Sequence, residues 1–181
     1  MNDAITKSMQ SYGSFTAEEL ELFHSQLDKR EIAKGESILD KGETCMEISF
    51  LKQGSFKQFY RNSELDEVII NLFAENSWVL DHSSFTGQKP SKCKIEAFED
   101  SEILTINVHH LHELIGRYPS FFALGKILEV DRSFDGKSPE EKYLKLLDQN
   151  PVIIQKFPLK YIASYLGMTP ETLSRVRRKI L

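Results

Sequence analysis

Cysteine and tryptophan are scarce in this 181-residue chain, with two of the first and one of the second. Two thiols, Cys45 and Cys93, are too few for a disulfide framework and are not spaced as a metal knuckle. Cys93 lies on the alternating run Cys93-Lys-Ile-Glu-Ala97, which predicts a buried structural thiol, whereas Cys45 sits in a loop-like stretch and is expected to be more exposed. No apolar run approaches the roughly 20 residues that span a bilayer. The opening Met1-Asn-Asp-Ala-Ile-Thr-Lys7 has no signal-peptide apolar stretch, so a cytoplasmic protein without a membrane partner is expected. The strand-like segments contain no histidine, and His109-His110-Leu-His112 falls at a strand-to-helix junction where consecutive side chains diverge. That run is expected to be a solvated turn rather than a metal site, and no cofactor is expected. Serine nucleophile elbows, phosphate-cradling glycine loops and paired catalytic acids are missing, which argues against an enzyme.

What is present concentrates at the C-terminal end. In Leu159-Lys-Tyr-Ile-Ala-Ser-Tyr-Leu-Gly-Met-Thr-Pro-Glu-Thr-Leu-Ser-Arg-Val-Arg-Arg-Lys-Ile180, the residues Ile162, Ala163 and Leu166 repeat at helical spacing, and Leu173 and Val176 form a second apolar stripe. Gly167 between them suits a sharp turn, Thr169 is placed to cap the second helix, and Pro170 occupies its first turn, where a missing N–H costs nothing. Ala163 is small enough for two helices to approach. The segment therefore reads as a helix-turn-helix, the device that presents a recognition helix to the major groove. From Pro158 onward Lys160, Arg175, Arg177, Arg178 and Lys179 stand against Glu171 alone, a net of +4, which leaves −8 for the rest of a chain whose total is −4. An acidic body with a basic tip fits a protein that offers one surface to a phosphate backbone. A basic last turn also complements a helix dipole, but that explains neither the turn nor the cap.

Upstream, Thr16-Ala-Glu-Glu19 is a capping box followed by Leu20, Phe23 and Leu27, so the chain is expected to open with an amphipathic helix. From about Ile32 to Val108 short alternating runs follow: Ile48 and Phe50; Val68, Ile70 and Leu72; Ile95 and Ala97; Leu104, Ile106 and Val108. Turn candidates containing Gly35, Gly42, Gly54 and Asn62 separate them, which predicts a sandwich or small barrel. Helical pattern returns near His109, is checked at Pro119 and resumes from Phe121 to Val130. Ser138-Pro-Glu-Glu141 starts another helix that should stop at Asn150-Pro151. The expected fold class is α+β, with units at 1–118 (β-roll), 119–137 (linking helix and hinge, with Gly136 as the pivot) and 138–181 (helix-turn-helix).

That order, together with Pro158-Leu-Lys-Tyr-Ile-Ala-Ser-Tyr-Leu-Gly-Met-Thr-Pro-Glu-Thr-Leu-Ser-Arg175, the glycine turns at Gly42 and Gly54, and Ala97-Phe-Glu-Asp-Ser-Glu-Ile-Leu104, resembles the Crp/Fnr family of bacterial transcription regulators, in the branch common in the Bacteroidetes. The resemblance implies a cyclic-nucleotide-binding-like, jelly-roll-like β-roll sensor, a homodimer, double-stranded DNA as partner and RNA polymerase as a further one. It places Glu171, Ser174 and Arg175 at the base-reading positions. A carboxylate can accept from the cytosine amino group, and a guanidinium can donate twice to guanine. A lone acid in a first helical turn is also simply favourable to the dipole. Lys160, Thr169, Arg177, Arg178 and Lys179 become phosphate contacts, which position without specifying.

Two departures qualify the resemblance. The family's nucleotide pocket uses a Gly-Glu pair and an arginine followed by a small hydroxyl residue, yet residues 75–93 here contain no arginine. Lys89 and Lys92 flank Pro90-Ser91, but a lysine is a point charge without the bidentate fork. Cyclic AMP is therefore not expected to bind in the usual way. Trp78, His82, Phe85, Lys89, Ser91 and Lys92 are the candidate lining for another effector, of unknown identity if one exists, with Trp78 better suited to a core. The linking helix is also short, about 14 residues or 21 Å, although Phe121, Leu124, Ile127 and Leu128 make a stripe suited to pairing two copies or to packing on the chain's own body. The competing function is a ligand-sensing β-roll acting through protein contacts.

Overall fold

The computed structural model describes residues 3–129 and 134–180. Two helices open the chain, α1 (Ala4–Tyr12) and α2 (Ala17–Ser25). The capping box at Thr16 forms as expected, with the Glu19 N–H donating to Thr16 Oγ1 at 3.2 Å and the Thr16 N–H donating back to the Glu19 carboxylate at 2.7 Å. Eight strands follow: β1 (Asp28–Ile32), β2 (Ser37–Leu39), β3 (Glu47–Gln53), β4 (Ser55–Arg61), β5 (Glu67–Ala74), β6 (Trp78–Val79), β7 (Lys94–Ala97) and β8 (Ser101–Asn107), with helix α3 (His82–Gly87) between β6 and β7. They form two antiparallel four-stranded sheets, ordered β1-β8-β3-β6 and β2-β7-β4-β5. Phe50, Phe56, Ile95 and Ile103, among others, fill the space between them.

Helix α4 (Val108–Arg117) follows β8 directly, and His109, His110 and His112 lie on it rather than in a turn. The segment expected to be an α-helix after Pro119 is a 3-10 helix, Pro119–Leu128. Its stripe does not face outward. Phe121, Leu124 and Ile127 are buried in the core of the roll with Phe23, Ile5 and Met9, and Leu128 packs against the same cluster. Phe121 stacks on Phe23 at 6.1 Å and lies 5.5 Å from Phe15. Of the two expected roles for this stripe, pairing two copies or packing on the chain's own body, the structure shows the second, with the N-terminal helices as the apolar partner. Of the expected hinge, residues 131–133 lie outside the described residues, while Gly136 has a φ of +69°.

The helices α5 (Pro139–Gln149), α6 (Pro151–Lys156), α7 (Leu159–Tyr165) and α8 (Pro170–Ile180) complete the chain. The Ser138 capping box forms, and α5 ends just before the Asn150-Pro151 step. These helices do not build a core of their own. Tyr143, Leu146, Ile153, Ile162, Leu166, Leu173 and Val176 share one cluster with Phe59, Ile69, Leu72 and Ala74 of β4 and β5, so the outer face of the β2-β7-β4-β5 sheet is half of the second core. Burying each such aliphatic side chain contributes about 1.5–3 kcal/mol. β5 was expected to bury Val68, Ile70 and Leu72. A bulge at Gln58/Phe59 shifts the register so that Phe59 faces Ile69 while Gln58 faces Asn71, and Ile70 turns outward, 46% exposed.

Polar groups fix where the helices sit. β5 is an edge strand, and its Ile69 N–H donates to Ser164 Oγ of α7 at 2.9 Å. The Lys57 ammonium, on a side chain only 7% exposed, lies 2.6 Å from Glu67 and 3.3 Å from Glu96, with the Phe59 ring 4.3 Å and the Tyr161 ring 5.3 Å away. The Tyr161 hydroxyl donates to the same Glu67 carboxylate at 3.1 Å. Lys156 of α6 pairs with Glu75 at 3.1 Å and with Glu99, and donates to the Gly54 carbonyl.

Burial alone would raise the pKa of Glu67 and of Glu99, but Lys57 with Tyr161, and Lys156 with Ser55, hold both below the ordinary 4.5. A depressed carboxylate stabilises fully above its unfolded value, and the contribution is lost as pH falls through the folded one. Thermal melting should therefore show stability falling as the pH drops below about 4.5, with a shallower fall in Glu67→Gln/Glu99→Gln; an equally steep fall in the variant would remove these carboxylates from the docking.

Candidate nucleic-acid interface

α7 ends because Gly167 takes φ +67°, which lets the Met168 N–H reach the Ala163 carbonyl at 2.9 Å and the Gly167 N–H reach Ser164 at 3.0 Å, the paired bonds of a Schellman C-cap. Lys142 of α5 adds a bond to the Leu166 carbonyl at 2.9 Å. α8 starts at the expected cap, with Thr172 N–H donating to Thr169 Oγ1 at 3.2 Å and Pro170 in the first turn. Ala163 is completely buried where α7 meets α8, and Leu173 and Val176 are buried beside it.

The opposite face of α8 is solvent-exposed and charged. Glu171 and Arg175 are both exposed, one turn apart on one side. The Glu171 backbone N–H and the Thr169 hydroxyl hold its carboxyl below the usual range, so it is an acceptor at neutral pH. Arg175 Nη2 donates to Thr172 Oγ1 at 3.2 Å, which aims the guanidinium along the helix. Ser174, Arg177 and Arg178 line one shallow depression of about 510 Å³ together with Leu159 from the start of α7. Lys160 is exposed, its ammonium 5.1 Å from the Tyr161 ring. Lys179 differs from its neighbours in pairing with Glu140 of α5 at 3.0 Å. Thr172 was not foreseen, although its place three residues before Arg175 is a readable signal; Glu140 and Leu159 arrive from other helices and carry no local one.

The six candidate effector residues do not line one cavity. Trp78 packs edge-on against Phe50 at 5.0 Å and donates to Ser8, as a core-edge aromatic does. Phe85 belongs to the roll's core, His82 meets the Ile127 carbonyl at 3.1 Å, and Lys89 and Lys92 are exposed. Ser91 is buried and donates to Asp81 at 2.6 Å, while the other Asp81 oxygen accepts from the Ser84 N–H. The space between the sheets, about 290 Å³, is lined instead by Glu43, Cys45, Met46, Glu47, Ser49 and aliphatic side chains, with no basic residue. Cys45 is buried, not exposed: the chain from Thr44 to Glu47 folds under α3, Ser84 accepts from its N–H, and burial pushes its thiol pKa up.

Residues 29–118 match the family described as cyclic nucleotide-binding domain. The structure is similar to FixK2 from Bradyrhizobium japonicum (TM-score 0.67, 14% identity, covering 85% of this chain and 84% of that one). It is similar also to the catabolite activator protein of Thermus thermophilus (0.57, 20%, 92% and 84%) and to CLP of Xanthomonas campestris, described as a c-di-GMP responsive global regulator (0.60, 14%, 91% and 91%). A search of curated proteins by sequence gives no match. Residues 29–118 are thus similar to a cyclic nucleotide-binding domain, and the chain has the α+β fold of the Crp/Fnr-type regulators.

An added Cβ at Gly167 would meet nothing nearer than Lys142 Nζ at 3.7 Å, so only the backbone opposes it. Gly167→Ala should lower unfolding stability by about 1–2 kcal/mol, measured by urea titration; an unchanged midpoint would mean that the turn tolerates another conformation.

Proposed function

We propose that this protein is a sequence-specific DNA-binding transcription regulator in which α8 enters the major groove. The observation that carries this is the exposed Glu171–Arg175 pair on a capped helix, flanked by Arg177, Arg178 and Lys160 on a body of opposite charge. Glu171 and Arg175 read base edges, each good contact being worth about 1–3 kcal/mol of discrimination, with Ser174 beside them. Lys160, Thr169, Arg177, Arg178 and, once released from Glu140, Lys179 hold phosphates.

Two copies would occupy a near-palindromic site with half-sites about 34 Å apart. Pairing falls to a surface other than Phe121, Leu124 and Ile127, which are buried within each copy. The cavity between the sheets does not take cyclic AMP in the usual way, because a buried phosphodiester needs a paired cation and that cavity offers Glu43 and Glu47. The units suggested are the roll at 1–118, the linker at 119–137 and the helix-turn-helix at 138–181, the last docked on the roll.

Selection from randomised duplexes should enrich a two-fold-symmetric motif with the wild type, and Arg175→Ala should blur one G·C position. Arg178→Gln should leave the motif intact and reduce the salt dependence of binding by about one unit of slope. Absence of any enrichment, together with salt-independent duplex binding, would favour a module acting through protein contacts.

A further inference from the structure

We propose that the strand ends of the β2-β7-β4-β5 sheet form a second ligand site, one for a small phosphomonoester carried on a flat ring, of the nucleoside monophosphate class. A cleft of about 280 Å³ opens there, lined by Lys41, Arg61, Lys92 and Lys94 with Tyr60 and one acid, Asp40. It is separate from the cavity between the sheets, with which it shares no lining residue.

The backbone brings these cations together. The Gly42 N–H donates to the Ser91 carbonyl at 2.9 Å, and the Ser91 N–H donates to the Glu43 carbonyl at 2.7 Å, so the turns that carry Lys41 and Lys92 are fixed side by side. A φ of +97° at Gly42 makes that turn possible. On the other flank β4 pairs with β7 in a register that sets Phe59 opposite Lys94, and Arg61 and Lys92, each two residues beyond that pair, line the same cleft. Lys41, Lys92 and Arg61 thus form a row of cations along one cleft, a placement that destabilises when nothing neutralises it.

Internal carboxylates neutralise only part of the row. Lys94 has Asp40 at 3.6 Å and Glu96 at 3.1 Å. Arg61 has Glu67 at 3.9 Å, but that carboxylate is held at 2.6 Å by Lys57. Lys41 and Lys92 make no ion pair among the described residues. Asp40 is further engaged by the Ser37 hydroxyl at 2.8 Å. On a body of net negative charge, such a row is relieved by a compact dianion: lysine ammonium groups meet phosphate as point charges, and Arg61 supplies the fork. Tyr60, 40% exposed, adds an aromatic surface on which a planar ring can stack. The volume admits one nucleotide-sized molecule and sits at the small end of ligand sites.

The test is an amide-resolved NMR titration of the full chain with AMP, ribose 5-phosphate, adenosine and a short DNA duplex. AMP should move the amides of Lys41, Tyr60, Arg61 and Lys92, ribose 5-phosphate should move them at higher concentration, and adenosine should not. Lys41→Gln/Lys92→Gln should weaken AMP by about tenfold or more while melting at the same or a higher temperature, because repulsion is removed. Tyr60→Leu should weaken AMP and leave ribose 5-phosphate unchanged. The proposal is overturned if AMP leaves those amides in place, if the double variant binds AMP as the wild type does, if AMP and ribose 5-phosphate bind equally, if AMP moves Cys45 and Ile95 instead, or if only the duplex moves the cleft.

Discussion

The structure depends on how the edge of one sheet is closed. β5 would otherwise present open N–H groups and the apolar outer side of β4 and β5 to water. Ser164 accepts the Ile69 N–H, and α7 covers Ile69 and Leu72 with Ile162 and Leu166. The Lys57–Glu67–Tyr161 network then sets the register of that docking, since a buried cation tolerates few alternative partners. Because α7 is also the first helix of the helix-turn-helix, the same contact that completes the sheet aims α8.

This arrangement divides the molecule electrostatically. Carboxylates gather where the roll meets the helices, matched there by Lys57 and Lys156, and Glu43 and Glu47 line the cavity between the sheets, which has no basic residue. The cations of α8 face solvent without such matching, apart from Lys179. On the proposed reading this distribution orients the approach to DNA, since the remainder repels a phosphate backbone.

What the sequence discloses is what is locally encoded. The capping boxes at Thr16 and Ser138, the αL turn at Gly167 and the cap at Thr169 are each specified within a few residues, and all form. Periodicity states which side chains share a face, not what that face meets. The Phe121, Leu124, Ile127 stripe was legible, but its partners Phe23, Ile5 and Met9 lie far away in sequence, in α1 and α2, and α1 itself was not foreseen. The outward turn of Ile70 follows from a bulge that only strand pairing creates, and the burial of Cys45 follows from α3 folding over it. The charged face of α8 was legible in full; the positions of Glu140 and Leu159 beside it were not, because tertiary packing brings them there.

Amide hydrogen exchange at Ile69 tests most directly whether α8 is carried rigidly by the roll. If docking closes the sheet edge as described, that amide exchanges only with global unfolding, at the rate of the buried strands β3 and β8. Exchange as fast as that of an open edge strand would contradict the account, because α8 would then be tethered to the roll rather than aimed by it.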